Sequence, residues 1–328
     1  MSKRPPTMSG HAEYDRKPHR PPPYGERKLL ETIPDIPYLK FGRIIGHGNF
    51  SHVYKGIYHN KTPVAIKVIE RGSERMLETE IELLEDLRNA PHIVQLFEVI
   101  EKPQTMLVFE AVENIDRDDF YDNLTLKQLR FVLQCLLQAL EAAHARDIVH
   151  RDVKLGNILI TPGFSNVVLI DWGCGTYISE SMSAKAGSRS CRPPEMLLGY
   201  RNYGSKCDIW AVGILILSIL SDEVIPWKAR NTQKCLQLMA EYFGGKNLIK
   251  IVDRLNLDRE GVDFEIGDPK FDLEASFSDD FKDLFDPDLI DLMKQCLNLD
   301  LEKRPTAKEA LMHRFFQKEI EEEEFSDA

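Results

Sequence analysis

The sequence has no C-x-x-C pair. Its six cysteines (Cys135, Cys174, Cys191, Cys207, Cys235 and Cys296) are scattered singly through 328 residues. That spacing excludes a disulfide framework or a cysteine-based zinc site and reads as a chain from a reducing compartment. The opening M-S-K-R-P-P has no apolar run, which speaks against a signal peptide. The longest apolar stretch, Ile209 to Leu220, falls well short of the roughly 20 residues a membrane span needs and is expected to be a buried core helix. There is no basic excess either: a formal net charge of −11 argues against a nucleic-acid partner held by bulk attraction to phosphate. No internal repeat is present. The expectation is an intracellular, globular protein, 43% hydrophobic and long enough to bury a large core in two lobes.

Residues 1–37 are rich in Pro, Lys and Arg, and Pro21-Pro22-Pro23 forbids regular structure there, so this segment is expected to be extended. Short β-type runs dominate 38–109, with one helix inserted from near Ser73 through Leu87. Leu77, Ile81, Leu84 and Leu87 would mark its inner face. After a connection at 110–116, the pattern over 117–318 is mostly helical. Leu126 to His144 forms one amphipathic helix, and Asp208 to Leu220 is apolar nearly all round. Residues 319–328 form an acidic tail, Glu321 to Glu324 followed by Phe325, which reads as a solvated end. The fold class is α+β, with a small β-rich lobe followed by a large α-helical one.

Several motifs carry chemistry. Gly46-His47-Gly48-Asn49-Phe50-Ser51-His52-Val53 lies between two apolar runs, and its missing Cβ atoms would let backbone N–H groups approach phosphate oxygens. Alone it is equally compatible with a plain hairpin turn. About 15 residues on, Val64-Ala65-Ile66-Lys67 reads as a strand, and period-2 alternation puts Lys67 on the face of Ala65 and Ile69. A lysine there either reaches solvent at a strand edge or finds an anion. Glu80, three residues after Leu77 and four before Leu84, faces inward with the apolar stripe. It would pair with Lys67 and aim the ammonium at phosphates.

The strongest single signal is His150-Arg151-Asp152-Val153-Lys154-Leu155-Gly156-Asn157, a loop between a long helix and the apolar strand Ile158-Leu159-Ile160. Asp152 can accept or orient a substrate hydroxyl proton. Lys154 can neutralise charge on a transferred phosphoryl group, and Asn157 can offer an oxygen to Mg²⁺. Asp171-Trp172-Gly173 closes the run Val167 to Ile170; an aspartate ending a buried strand is costly unless it meets a cation, and Mg²⁺ is the natural one. Pro193-Pro194-Glu195 and the distant Arg304 could form a buried carboxylate–guanidinium clamp. Asp208 could cap the backbone near His150 and Arg151.

On these motifs the chain resembles a eukaryotic protein kinase from about Tyr38 to Phe316, and most of all the catalytic subunits of casein kinase II. The narrower resemblance rests on D-W-G with Trp172, on Ser51 in the third glycine position, on Leu107-Val108-Phe109-Glu110, and on His19-Arg20-Pro21 with Tyr24. It implies an ATP site formed by Ile45, Gly46, Gly48, Ser51, Val53, Ala65, Lys67, Glu80, Phe109, Glu110, Val112 and Asp171, with GTP as an alternative nucleotide and Mg²⁺ on Asn157 and Asp171. It further implies a constitutively active serine/threonine kinase of the cytoplasm and nucleus. Acidic protein substrates would meet Lys185, Arg189 and Arg192, and a regulatory beta subunit would complete a heterotetramer. Phe41 and Tyr54 could offer that subunit an apolar patch, or could equally be core. If the Trp172 indole N–H meets a backbone carbonyl, it would lock Asp171 in place. Two departures stand out. The lysine run at the start of the inserted helix is reduced to Arg71 and Arg75, and Leu155 replaces the usual proline. The first predicts a weaker acidic preference. A cyclin-dependent-type cell-cycle kinase and a catalytically silent pseudokinase scaffold are the alternatives. D-W-G weighs against the first; the full set of Lys67, Glu80, Asp152, Asn157 and Asp171 weighs against the second.

Overall fold

The structure is a computed structural model that describes residues 36–48, 51–70, 72–101, 104–259 and 263–317. The segment holding His19, Arg20, Pro21 and Tyr24 lies outside these residues, as do Asn49, Phe50, Arg71 and the acidic tail. The chain divides into two compact units. Of the described residues, the first takes in those up to Gly72 together with Leu96–Ala111; the second takes Ser73–Gln95 and those from Val112 on.

The first unit is a five-stranded antiparallel sheet built from β1 (Leu39–His47), β2 (Ser51–Tyr58), β3 (Thr62–Ile69), β4 (Leu96–Ile100) and β5 (Met106–Glu110), in the order β1-β2-β3-β5-β4. Side chains of a strand alternate between faces, so the register decides what each face carries. Tyr54, Val64, Ile66, Val68, Met106 and Val108 share one face and are all fully buried, packed with Leu39. Val53 opposite Lys67, Lys67 opposite Leu107, and Ala65 opposite Phe109 share the other. The alternation expected for Lys67 is therefore present. Tyr54 is core, and the half-buried Phe41 lies edge-on against its ring at 5.6 Å.

The second unit is mainly helical. The inserted helix, Glu74–Asp86, belongs to it: it packs on a 3-10 turn at Trp172–Cys174 and on the two-residue β9 (Thr176–Tyr177). That seat turns its inner face slightly from the expected stripe. Glu80, Leu83 and Leu84 are buried inside the helix and Leu87 just past it, while Leu77 and Ile81 are only half-buried. Ser73 takes the N-cap position without a side-chain cap. The Leu126–His144 helix starts where Thr125 and Gln128 form a reciprocal capping box, which satisfies two otherwise orphaned N–H groups. The Lys206–Leu220 helix is buried on nearly every side, as its composition requires. No helix among the described residues is long and apolar enough to cross a membrane, and all six cysteines are free thiols.

Candidate active site

The first unit presents a glycine hairpin and a half-buried lysine on one side. Gly46 pairs with Val53 and His47 with His52, and the Gly48 N–H donates to the Ser51 carbonyl at 2.8 Å. A Cβ on Gly48 would sit 3.0 Å from the Ser51 Oγ, so this tight turn leaves little room for a side chain. Val53, Ala65 and Lys67 are half-buried and Phe109 is nearly sealed, so one face of the sheet gathers these four residues of the expected nucleotide site. Ile45 stands out at 47% exposed. Glu110 ends β5.

The second unit holds the residues expected to act in proton transfer and metal binding. Strands β6 (Ile148–Val149), β7 (Ile158–Ile160) and β8 (Val167–Leu169) frame the loop that carries Asp152. The loop is pinned from below by Asp208, which is fully buried and accepts from the His150 N–H at 2.9 Å, the Arg151 N–H at 2.7 Å and His144 Nε2 at 3.0 Å. Burial pushes the Asp208 carboxyl up, but the His144 hydrogen bond and the neighbouring imidazoles outweigh it and hold the group below its ordinary range. Arg151 adopts a left-handed backbone, φ 65°, which turns the loop toward Asp152.

Asp152 is 6% exposed and heavily bonded. Lys154 Nζ donates to its Oδ2 at 2.6 Å, the Asn157 amide to the same oxygen at 3.1 Å, and the Ser188 N–H to its Oδ1 at 2.8 Å. Burial alone would raise its pKa; Lys154 and Ser188 together bring it below the usual value. It is thus an ionised carboxylate at neutral pH, fixed in direction by three donors. Lys154 also reaches Ser188 Oγ at 3.3 Å. Asn157 uses its NH₂ on the Asp152 carbonyl at 2.9 Å and on its carboxylate. Its amide oxygen is thereby turned away from Asp152, as a magnesium ligand requires. Asp171 follows β8 in a left-handed conformation, φ 62°, and is exposed. A Cβ on Gly173 would lie 3.4 Å from Asp171 Oδ1 and 3.3 Å from Glu80 Oε2, so the glycine lets two carboxylates approach one spot. This hard-oxygen set of Asn157 and Asp171 fits Mg²⁺.

One expectation needs correction, that of a backbone carbonyl for the Trp172 indole N–H. The Trp172 ring is 1% exposed and edge-on to His150 at 4.8 Å, yet its Nε1 is buried with no hydrogen-bond partner among the described residues. The nearby Ile170 carbonyl accepts from His150 Nε2 at 3.0 Å instead. Packing alone seats this tryptophan. Of the three cations expected to meet acidic substrates, two bond backbone carbonyls. Arg192 Nε donates to the Ala186 carbonyl at 2.8 Å, and its Nη2 to Gly187 at 2.7 Å and Lys185 at 2.5 Å. Arg189 Nη1 donates to the Arg230 carbonyl at 2.7 Å. Only Lys185 is exposed. Burial and then the neighbouring Arg189 press the Arg192 pKa down, though a guanidinium keeps its charge in proteins.

Sequence reasoning missed Gly187 and Ser188. Gly187, φ 68°, is packed so tightly that a Cβ would fall 1.9 Å from the Arg151 carbonyl. The available signal was a Gly-Ser pair in a loop otherwise read only for its cations. The expected clamp is present: Arg304 Nη1 and Nη2 meet the two Glu195 oxygens at 2.9 and 3.1 Å, both side chains wholly buried.

A held carboxylate, a cation beside it and two oxygen donors for a divalent metal form the constellation that phosphoryl transfer uses. A family model described as Protein kinase domain matches residues 39–316. By that match and the α+β architecture of a five-stranded antiparallel sheet followed by a helical unit, the chain belongs to the protein kinase family, and with it to the phosphotransferases that use ATP and Mg²⁺.

Proposed function

We propose that the chain is a serine/threonine kinase of the casein kinase II type, acting on acidic protein substrates without prior phosphorylation of its own loop. One observation carries this reading. The segment bearing Lys185, Arg189 and Arg192 is bonded directly to the catalytic carboxylate through the Ser188 N–H at 2.8 Å, and to Lys154 through the Ser188 hydroxyl at 3.3 Å. A peptide whose downstream carboxylates lie on these cations would present the preceding hydroxyl at Asp152. The carbonyl ties of Arg189 and Arg192 fix where their charge sits and leave it in place, which supports electrostatic docking over a flexible lysine surface.

The geometry supports a role for each residue. Asp152 orients the substrate hydroxyl and accepts its proton. Lys154 Nζ sits 2.6 Å from that carboxylate and 3.3 Å from the Ser188 hydroxyl, and its third N–H would bond the transferred phosphoryl oxygens as the hydroxyl attacks. Asn157 and Asp171 would hold Mg²⁺, which offsets phosphate charge when bound.

The test is a degenerate-peptide phosphorylation screen on purified protein. Selection for S/T-x-x-D/E is the expected outcome. Selection for proline directly after the acceptor, for basic residues before it, or for tyrosine would overturn the reading.

A further inference from the structure

Ser188 can keep its N–H on Asp152 only if the chain between the Trp172–Cys174 turn and the Pro194–Leu197 helix is held still. Kinases that switch obtain this order from a phosphate on the segment, which pairs with arginine. In this chain the arginine preceding the catalytic aspartate is already occupied. Arg151 Nε donates to the Cys174 carbonyl at 2.6 Å, Nη2 to the Gly175 carbonyl at 3.2 Å and Nη1 to the Tyr203 hydroxyl at 3.3 Å.

Tyr203 passes the connection on. Its hydroxyl donates to the Ser183 carbonyl at 2.8 Å, so a single oxygen accepts from the catalytic loop and donates to the segment that follows it. Its ring is 1% exposed, packed with Val149, Met182, Met196 and Cys207. Burial raises the phenol pKa, with Arg151 pulling the other way, so the hydroxyl keeps the proton that this donation needs. The Met182 N–H donates to the Arg201 carbonyl at 2.9 Å and closes the same link from the neighbouring residue. Four residues further, Gly187 lies against the Arg151 carbonyl.

We propose that Tyr203 is a positioning residue for phosphoryl transfer, its hydroxyl coupling Arg151 of the catalytic loop to Ser183 and taking the place of a loop phosphate. The proposal rests on the reading of the chain as a kinase active without loop phosphorylation. Tyr203 touches no reacting atom; it acts through Arg151 and the segment that delivers Ser188.

Tyr203→Phe keeps the ring and removes only the hydroxyl, leaving Arg151 Nη1 and the Ser183 carbonyl without their shared partner. On the best serine peptide, kcat is expected to fall about tenfold, the worth of one hydrogen bond at about 1.4 kcal/mol, with KM for ATP within about twofold. Hydrogen exchange should quicken at residues 182–188 while the rest of the catalytic unit keeps its protection. Arg151→Lys supplies the second arm. If Tyr203 acts through Arg151, the double variant loses no more than about twofold beyond the worse single variant. A Tyr203→Phe enzyme with unchanged kcat, losses that multiply in the double variant, or faster exchange throughout the unit would each overturn the proposal. A wild-type enzyme without acidic preference would sink the substrate reading and leave this test standing, because kcat is read on whichever serine peptide serves best. A wild-type chain that transfers no phosphate would overturn both.

Discussion

Trp172 keeps a buried hydrogen-bond donor that no described residue accepts. Burying an N–H without a partner costs about 1–3 kcal/mol, and the indole Nε1 has none among the described residues. Trp172→Phe is therefore expected to hold or raise the thermal midpoint, at the expense of some packing, and to leave kcat within about twofold. A fall of more than ten degrees in calorimetry, or a large loss of turnover, would show that the N–H matters after all. Asp152 is the opposite case, a carboxylate whose two oxygens both accept hydrogen bonds. Asp152→Asn keeps the shape and removes the base, so kcat should drop by about 10²–10⁴ with circular dichroism unchanged. Its pH behaviour follows from the sign of the shift. Asp152 and Asp208 both titrate below the ordinary 3.8 in the folded protein. Their contribution to stability is complete above the unfolded value and is lost as pH falls through the lower folded values. Urea midpoints should be flat through mildly acidic solution and fall below about pH 4.

The loop from Met182 to Arg192 shows which part of the site could be read from the chain. Residue type and spacing singled out Asp152, Lys154, Asn157 and Asp171, and the structure brings the first three into contact. Strand alternation correctly put Lys67 opposite the buried Val64, Ile66 and Val68. Helical spacing turned Glu80 inward but chose Leu77 over Leu83, since the packing of that helix on the Trp172–Cys174 turn sets its rotation and is invisible in the period. Arg192 was legible as a cation and not as a staple, because its partners are backbone carbonyls of its own loop. Gly187 shows the same limit, as only the fold brings it against the Arg151 carbonyl. At φ 68° and with a Cβ 1.9 Å from that oxygen, Gly187→Ala must push the loop away from Asp152. The expected result is a loss of at least about a hundredfold in kcat/KM with a smaller effect on the thermal midpoint. By contrast, replacing Ser179, Ser181 and Ser183 together with alanine should leave kcat within about twofold, since the segment is anchored through backbone groups that alanine retains.

At the scale of the whole chain, two distant segments depend on one ion pair. Glu195 lies three residues after Arg192 and Arg304 lies 109 residues on, yet the two side chains form a bidentate pair with neither exposed. Arg304 is further satisfied by the carbonyls of Lys206 at 2.8 Å and Asn298 at 3.1 Å, and its guanidinium stacks over Trp210 at 5.1 Å. Such a network fixes geometry more reliably than it adds net stability, because burying two charges costs nearly what their attraction returns. Removing one partner is different, since the other is left charged and dry. Glu195→Ala should therefore destabilise by about 3–5 kcal/mol, a fall of roughly 6–20 °C in midpoint for a unit of this size. Glu195→Asp, which shortens the reach but keeps the charge, should recover part of that. Full stability in Glu195→Ala would mean that Arg304 is held by the carbonyls and Trp210 alone, and that the Met182–Arg192 loop keeps its place through its own contacts, those of Gly187, Ser188, Arg192 and Tyr203 among them.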